Sequence, residues 1–243
     1  MMASEAEILR GFDLCDGHSD VDRAVLMLLW GYPERRLPEL LALPIGARDS
    51  LLLALCERTF GDRVSGSALC PVCQQRSTFF LRASDLRLPP QQQELPLVLR
   101  HGDWELHYRL PTSYALRGAA ACPDVESAAD SIFRYCLLSA RHKETPVSCT
   151  DLPIDICQRI GQALALADPQ SEVLLSLRCA HCGHNWQSLF DIARFLWTEL
   201  SHKAQRVFDE VHTLASKYGW SEQEILHMSP VRRRQYLQRC GHE

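Results

Sequence analysis

The chain contains no run of eighteen apolar residues, so it offers no candidate for a membrane-spanning helix. It opens Met1-Met2-Ala3-Ser4-Glu5, without the basic start and apolar stretch of a secretory signal. A reducing, cytoplasmic setting is therefore expected. A strongly basic balance is also missing. Lys and Arg number 26 against 30 Asp and Glu, a net charge of −4, which argues against nucleic acid as the partner. There is no glycine-rich phosphate loop, no nucleophile elbow and no metalloprotease helix. Neither an enzyme nor a small-molecule substrate is expected. Hydrophobic residues at 46% and charged residues at 23% are those of a globular protein, and 243 residues give room for one or two domains.

Cysteine is abundant, with eleven in the chain. Seven are isolated: Cys15, Cys56, Cys122, Cys136, Cys149, Cys157 and Cys240. Most stand among apolar residues and read as small buried hydrophobes. The other four form two pairs, Cys70-Pro71-Val72-Cys73 and Cys179-Ala180-His181-Cys182-Gly183. Two thiolates three positions apart can point inward from one tight turn, and a second such turn completes a tetrahedral shell. In a reducing compartment such pairs more often bind metal than form disulfides. The reading is one shared structural Zn2+ held by Cys70, Cys73, Cys179 and Cys182. Four protein ligands would leave no open position for substrate. Gly183 suits a position needing positive φ. Three other readings stand beside it: a redox pair, which would need a βαβ setting; two sites, with His181 or His184 joining the second pair; and free thiols. The separation of 105 residues between Cys73 and Cys179 is far longer than in an ordinary ribbon. A helical insertion would have to fill it, at slowly rising entropic cost. Each pair is followed by an aromatic-bearing segment and then an Asp, a weak internal repeat of strand, knuckle, strand.

The fold class expected is α+β and mostly helical, with zinc-ribbon-like β-hairpins split by a helical insertion and a long C-terminal helix. Residues 1–63 read as helical. Asp20 stands as the cap of one helix, and a second starts near Ala47 and stops at Gly61. Residues 64–111 hold the first knuckle and a hairpin whose strands, from Leu95 and from Trp104, flank His101-Gly102-Asp103. Pro89 to Gln93 reads as a polar loop. Residues 112–168 read as the helical insertion, with Asp151 capping its clearest helix. Residues 169–190 hold the second knuckle. Residues 191–243 hold a helix from Asp191 to Tyr218, about 40 Å long at 1.5 Å per residue. Its seam is Ala193, Trp197, Leu200, Ala204, Val207, Val211, Leu214 and Tyr218, expected to cover the chain's own core. Glu199 and Lys203 form an i,i+4 pair on it. Gly219 ends it. Ser221 with Glu224, and Ser229-Pro230, open two short docking helices.

Arg232, Arg233 and Arg234 are the one basic cluster. Three consecutive helical residues fan around most of the circumference. With Trp220 they are read as a protein-docking element, Arg233→Glu being expected to weaken partner binding and spare the fold. The other reading is a zinc-containing DNA-binding regulator using these last helices.

Several blocks together resemble one family. They include Leu43-Pro44-Ile45-Gly46-Ala47-Arg48-Asp49, Cys70-Pro71-Val72-Cys73, Ala167-Asp168-Pro169 and Cys179-Ala180-His181-Cys182-Gly183-His184-Asn185-Trp186. Phe190-Asp191-Ile192, Tyr218-Gly219-Trp220 and Ser229-Pro230-Val231-Arg232 continue the series. In this order they resemble the baseplate hub assembly proteins of contractile phage tails, found also in prophages and contractile injection systems. The resemblance implies a chaperone or minor structural subunit without enzymatic activity. Its implied partners are the hub or spike proteins of the tail, met in the cytoplasm of the producing bacterium, with incorporation into the particle as one outcome.

Overall fold

A computed structural model describes residues 3–89 and 96–240. Helices lead: α1 (Glu5–Cys15), α2 (Asp20–Gly31), the short α3 (Leu37–Leu41) and α4 (Ile45–Phe60). The first hairpin follows, β1 (Arg63–Leu69) and β2 (Arg76–Arg82), and then one turn of helix, α5 (Ala83–Leu86). A lobe comes next, made of β3 (Leu97–His101), β4 (Trp104–Tyr108), α6 (Ser113–Ala120), α7 (Val125–Cys136), β5 (Leu137–His142), β6 (Thr145–Pro146) and α8 (Ile154–Ala167). The second hairpin is β7 (Leu174–Arg178) and β8 (Asn185–Leu189), followed by α9 (Ile192–Tyr218), α10 (Glu222–His227) and α11 (Pro230–Cys240). The mostly helical α+β class holds.

The main core gathers α1, α2 and α4 around α9. Met27, Leu28, Leu52, Leu53, Leu196 and Leu200 lie at its centre. Of the expected seam, Ala193, Leu200, Ala204, Val207 and Leu214 are buried, so α9 covers its own chain. Its ends are as the sequence marks them. The Asp191 carboxylate accepts from the Arg194 amide, and Gly219 closes the helix at φ 68. Lys203, however, reaches Glu5 at 3.9 Å across the helix packing rather than Glu199.

The lobe has its own small core of Leu106, Ala140, Ile156 and Ile160. Segment 112–168 is not wholly helical: β5 pairs with β4 and extends the predicted hairpin into a four-stranded sheet, β3-β4-β5-β6. Two caps also shift. Ser19, not Asp20, caps α2 by accepting from the Asp22 amide. Pro153, not Asp151, occupies the cap of α8, because Asp151 belongs to a preceding 3-10 turn. The strand expected from Leu95 begins at Leu97. Leu95, and residues 90–93 of the expected polar loop, lie outside the described residues.

A polar clasp fixes the lobe to the helical body. Asp168 is buried and accepts the Gly46 amide at 2.8 Å. A Cβ on Gly46 would lie 1.8 Å from the Asp168 carboxylate, so only glycine fits there. Gln170 donates to the Leu86 carbonyl and accepts from the Leu88 amide. Arg117 pairs with Asp22 at 2.6 Å. These contacts bring both ends of the lobe back to the same place, and that return sets the two hairpins side by side.

Candidate metal centre

Each hairpin ends in the same turn. In the first, the Cys70 amide donates to the Gln75 carbonyl and the Gln74 amide to the Cys70 carbonyl, at 3.0 and 2.9 Å. In the second, Cys179 donates to His184 and Gly183 to Cys179, at 2.9 and 3.0 Å. The residue after the second cysteine is left-handed in both, Gln74 at φ 58 and Gly183 at φ 72. The positive φ expected at Gly183 is present.

These turns bring four sulfurs together. Cys70 and Cys182 Sγ are 3.6 Å apart, Cys73 and Cys179 Sγ 3.5 Å, and all four lie within 4.8 Å of one another. Such distances exceed an S–S bond of about 2.05 Å, so these are four thiols rather than two disulfides. A tetrahedron with metal–sulfur bonds of about 2.3 Å has edges of about 3.8 Å, and the cluster is of that size. The four can hold a metal ion. Neither His181 nor His184 belongs to the group. The His184 ring lies parallel to Trp186, centroids 6.4 Å apart.

The electrostatics are those of crowded sulfur. Amide N–H groups of Cys182 and His181 point at the Cys179 sulfur and, against its burial, draw the thiol down to about 6. At Cys70 burial opposes ionisation, but the amides of Cys73 and Val72 outweigh it and the thiol lies below its ordinary value. At Cys73 the Gln75 amide favours the thiolate, yet burial and the adjacent sulfurs push the thiol up to about 12. Four thiolates this close repel one another, and a cation among them reverses that repulsion.

Of the seven isolated cysteines, Cys15, Cys56 and Cys136 are buried and Cys122, Cys149, Cys157 and Cys240 are half-buried. Burial pushes Cys15 and Cys56 up to about 12, as unreactive core thiols require.

The C-terminal candidates divide. Trp220 is half-buried and stacks on Tyr218 at 4.5 Å, with Tyr236 edge-on to it at 4.8 Å. Arg232 and Arg234 are exposed. Arg233 is not the surface residue expected: it is 2% exposed, with Nε 2.7 Å from Glu210 and Nη2 on Glu5. It ties α11 to α9 and to the first turn of α1. The fan of three arginines on one helix forces one inward, and two glutamates far away in sequence receive it. Reversing its charge would place a third carboxylate, at a buried position, against the half-buried Glu5 and Glu210, so Arg233→Glu is a folding variant, not a clean test of docking.

Among the described residues no helix is long and apolar enough to cross a membrane. No curated protein and no solved structure matches the chain. The profile of a family described as T4 bacteriophage base plate protein does match, over residues 24–197. That span is more than half of the chain and includes both knuckles, the lobe between them and the start of α9, and it stops before Trp220 and the arginines. The chain belongs to the T4 bacteriophage base plate protein family.

Proposed function

We propose that this chain is a non-enzymatic assembly factor, a chaperone or minor structural subunit, for the hub of a contractile baseplate. The family match over residues 24–197 carries the reading. The partners are hub or spike proteins, met in the cytoplasm of the producing bacterium.

The proposed metal is one structural Zn2+. Cys70, Cys73, Cys179 and Cys182 would hold it, and an all-sulfur tetrahedral shell suits zinc. Bound there, the ion supplies no catalysis. It closes the long loop between the hairpins and keeps the lobe in place on the helical body, so that partner-facing surfaces hold fixed relative positions.

The proposed docking element is Trp220 with Arg232 and Arg234. The aromatic group of Tyr218, Trp220 and Tyr236 gives a rigid anchor, and Arg232 lies 5.8 Å from the centre of the Tyr236 ring. With Arg233 turned inward the basic cluster is broken, which favours a protein partner over DNA. Co-purification with tagged hub protein from producing cells tests the reading. The wild-type chain is expected in the hub complex, and Trp220→Ala and Arg232→Glu chains in reduced amount. Recovery of the wild-type chain free of any baseplate protein would contradict it.

A further inference from the structure

The first hairpin carries a feature that neither metal binding nor core packing uses. β1 and β2 pair as Arg63↔Arg82, Ser65↔Phe80, Ser67↔Thr78 and Leu69↔Arg76 on their outward face. All eight residues are exposed, Phe80 at 63% and Leu69 at 55%. Two arginines stand directly opposite each other in Arg63 and Arg82. Like charges in that position destabilise a strand pair. Asp62 relieves them most directly: it takes Arg82 at 2.6 Å, and its other oxygen takes the Ser84 amide, while Asp85 and Glu57 add negative charge near Arg82. Arg63 lies over the Phe80 ring at 4.7 Å, and Arg76 donates to the Ser67 hydroxyl, its one partner among the described residues. One guanidinium therefore lies over an exposed aromatic ring, and two more stand on the same face of the hairpin.

We propose that this face docks an acidic segment of a partner protein, apolar side chains resting on Phe80 and Leu69 and carboxylates engaging Arg63 and Arg76. Arginine binds carboxylates through two parallel hydrogen bonds, and it is enriched with aromatics at interface centres. A strand of seven residues is about 23 Å long, enough to receive an extended segment of similar length. Charge complementarity selects the partner. At the matching positions in and beside the second hairpin stand Asn185 in β8 and Glu172 and Asp191 just outside its strands, where the first has Arg76, Arg63 and Arg82, so the basic face is not a consequence of the hairpin architecture. Protein is favoured over nucleic acid by the exposed Phe80 and Leu69 between the cations and by the net charge of −4. The inference rests on reading the chain as a subunit that binds other proteins, and it concerns residues other than Trp220, Arg232 and Arg234.

The test uses the full chain and a labelled ten-residue peptide of alternating Glu and Leu, followed by fluorescence anisotropy. A Lys/Leu peptide and a 20-base-pair DNA duplex are the other arms. Wild-type chain is expected to bind the acidic peptide saturably, more weakly at high salt. Arg63→Glu is expected to lower affinity ~10-fold or more. The same change should raise the Tm by about 1–3 °C, because it places a carboxylate opposite Arg82. Loss of binding with a gain in stability cannot come from unfolding. Phe80→Ala, a change of an exposed side chain, is expected to weaken binding as well. The proposal is overturned by no binding to wild-type chain, by equal binding to Arg63→Glu, or by duplex DNA binding with the same Arg63 dependence. Metal content and hub co-purification of the same variants stand apart, so failure here leaves the assembly reading intact.

Discussion

A step of 109 residues carries Cys70 onto Cys179, Cys73 onto Cys182 and the five strand pairs of the first hairpin from Ser65↔Phe80 to Leu69↔Arg76 onto the five pairs of the second. The backbone survives the comparison: the same turn, the same left-handed residue, the same register into the knuckle. The interior faces do not. Gly66 opposite Phe79 becomes Leu175 opposite Ser188, so bulk moves from the second strand to the first. Ala68 opposite Ser77 becomes Leu177 opposite Trp186. Phe79 and Leu177 join the same core. Two half-sites with identical turns can thus carry different packing surfaces, provided large residues on one meet small residues on the other. What the turn demands is local and repeats; what the core demands is mutual and does not.

The largest expected effect tests equivalence at the sulfurs. Cys70→Ser and Cys179→Ser should each lose the metal and several kcal/mol of stability, since structural metal binding is folding free energy. Elemental analysis and thermal unfolding check this. A large loss from one change and none from the other would break the symmetry.

Packing comes next. Leu175→Ala should cost about 2–3 kcal/mol through the cavity it leaves. Gly66→Ala should cost about 1–3 kcal/mol for the opposite reason, because its Cβ would lie 2.4 Å from Phe79 Cζ. Urea unfolding measures both. Adding Phe79→Ala to Gly66→Ala should recover part of the loss, and strict additivity would contradict the contact.

The smallest effect lies in the turn. Gln74→Gly should stabilise by about 0.5 kcal/mol, because it relieves a left-handed non-glycine residue, and Gly183→Gln should cost about 1 kcal/mol. Equal and negligible effects at both positions would show that the turn tolerates the side chain.

Much of this was legible because the signals are local. The Asp191 cap, apolar spacing and Gly219 define α9. The cysteine spacing defines the knuckles, and alternation from Trp104 to Leu110 defines β4. What escaped depends on partners distant in the chain. β5 follows α7 without a break, and only its pairing with β4 makes Leu137 to His142 a strand. Asp168 reads as a helix end, but its clasp on Gly46 spans 122 residues. Arg233 carries the local signature of a surface charge, and Glu5 and Glu210 draw it inward. At the candidate metal centre the two cysteine pairs were readable, while their gathering into one cluster needed the lobe to fold back.

The most direct measurement is elemental analysis of freshly purified chain combined with zinc K-edge X-ray absorption. The account predicts one zinc per chain, bound by four sulfurs at about 2.3 Å. No metal, two metals per chain, or a nitrogen ligand in the shell would contradict it.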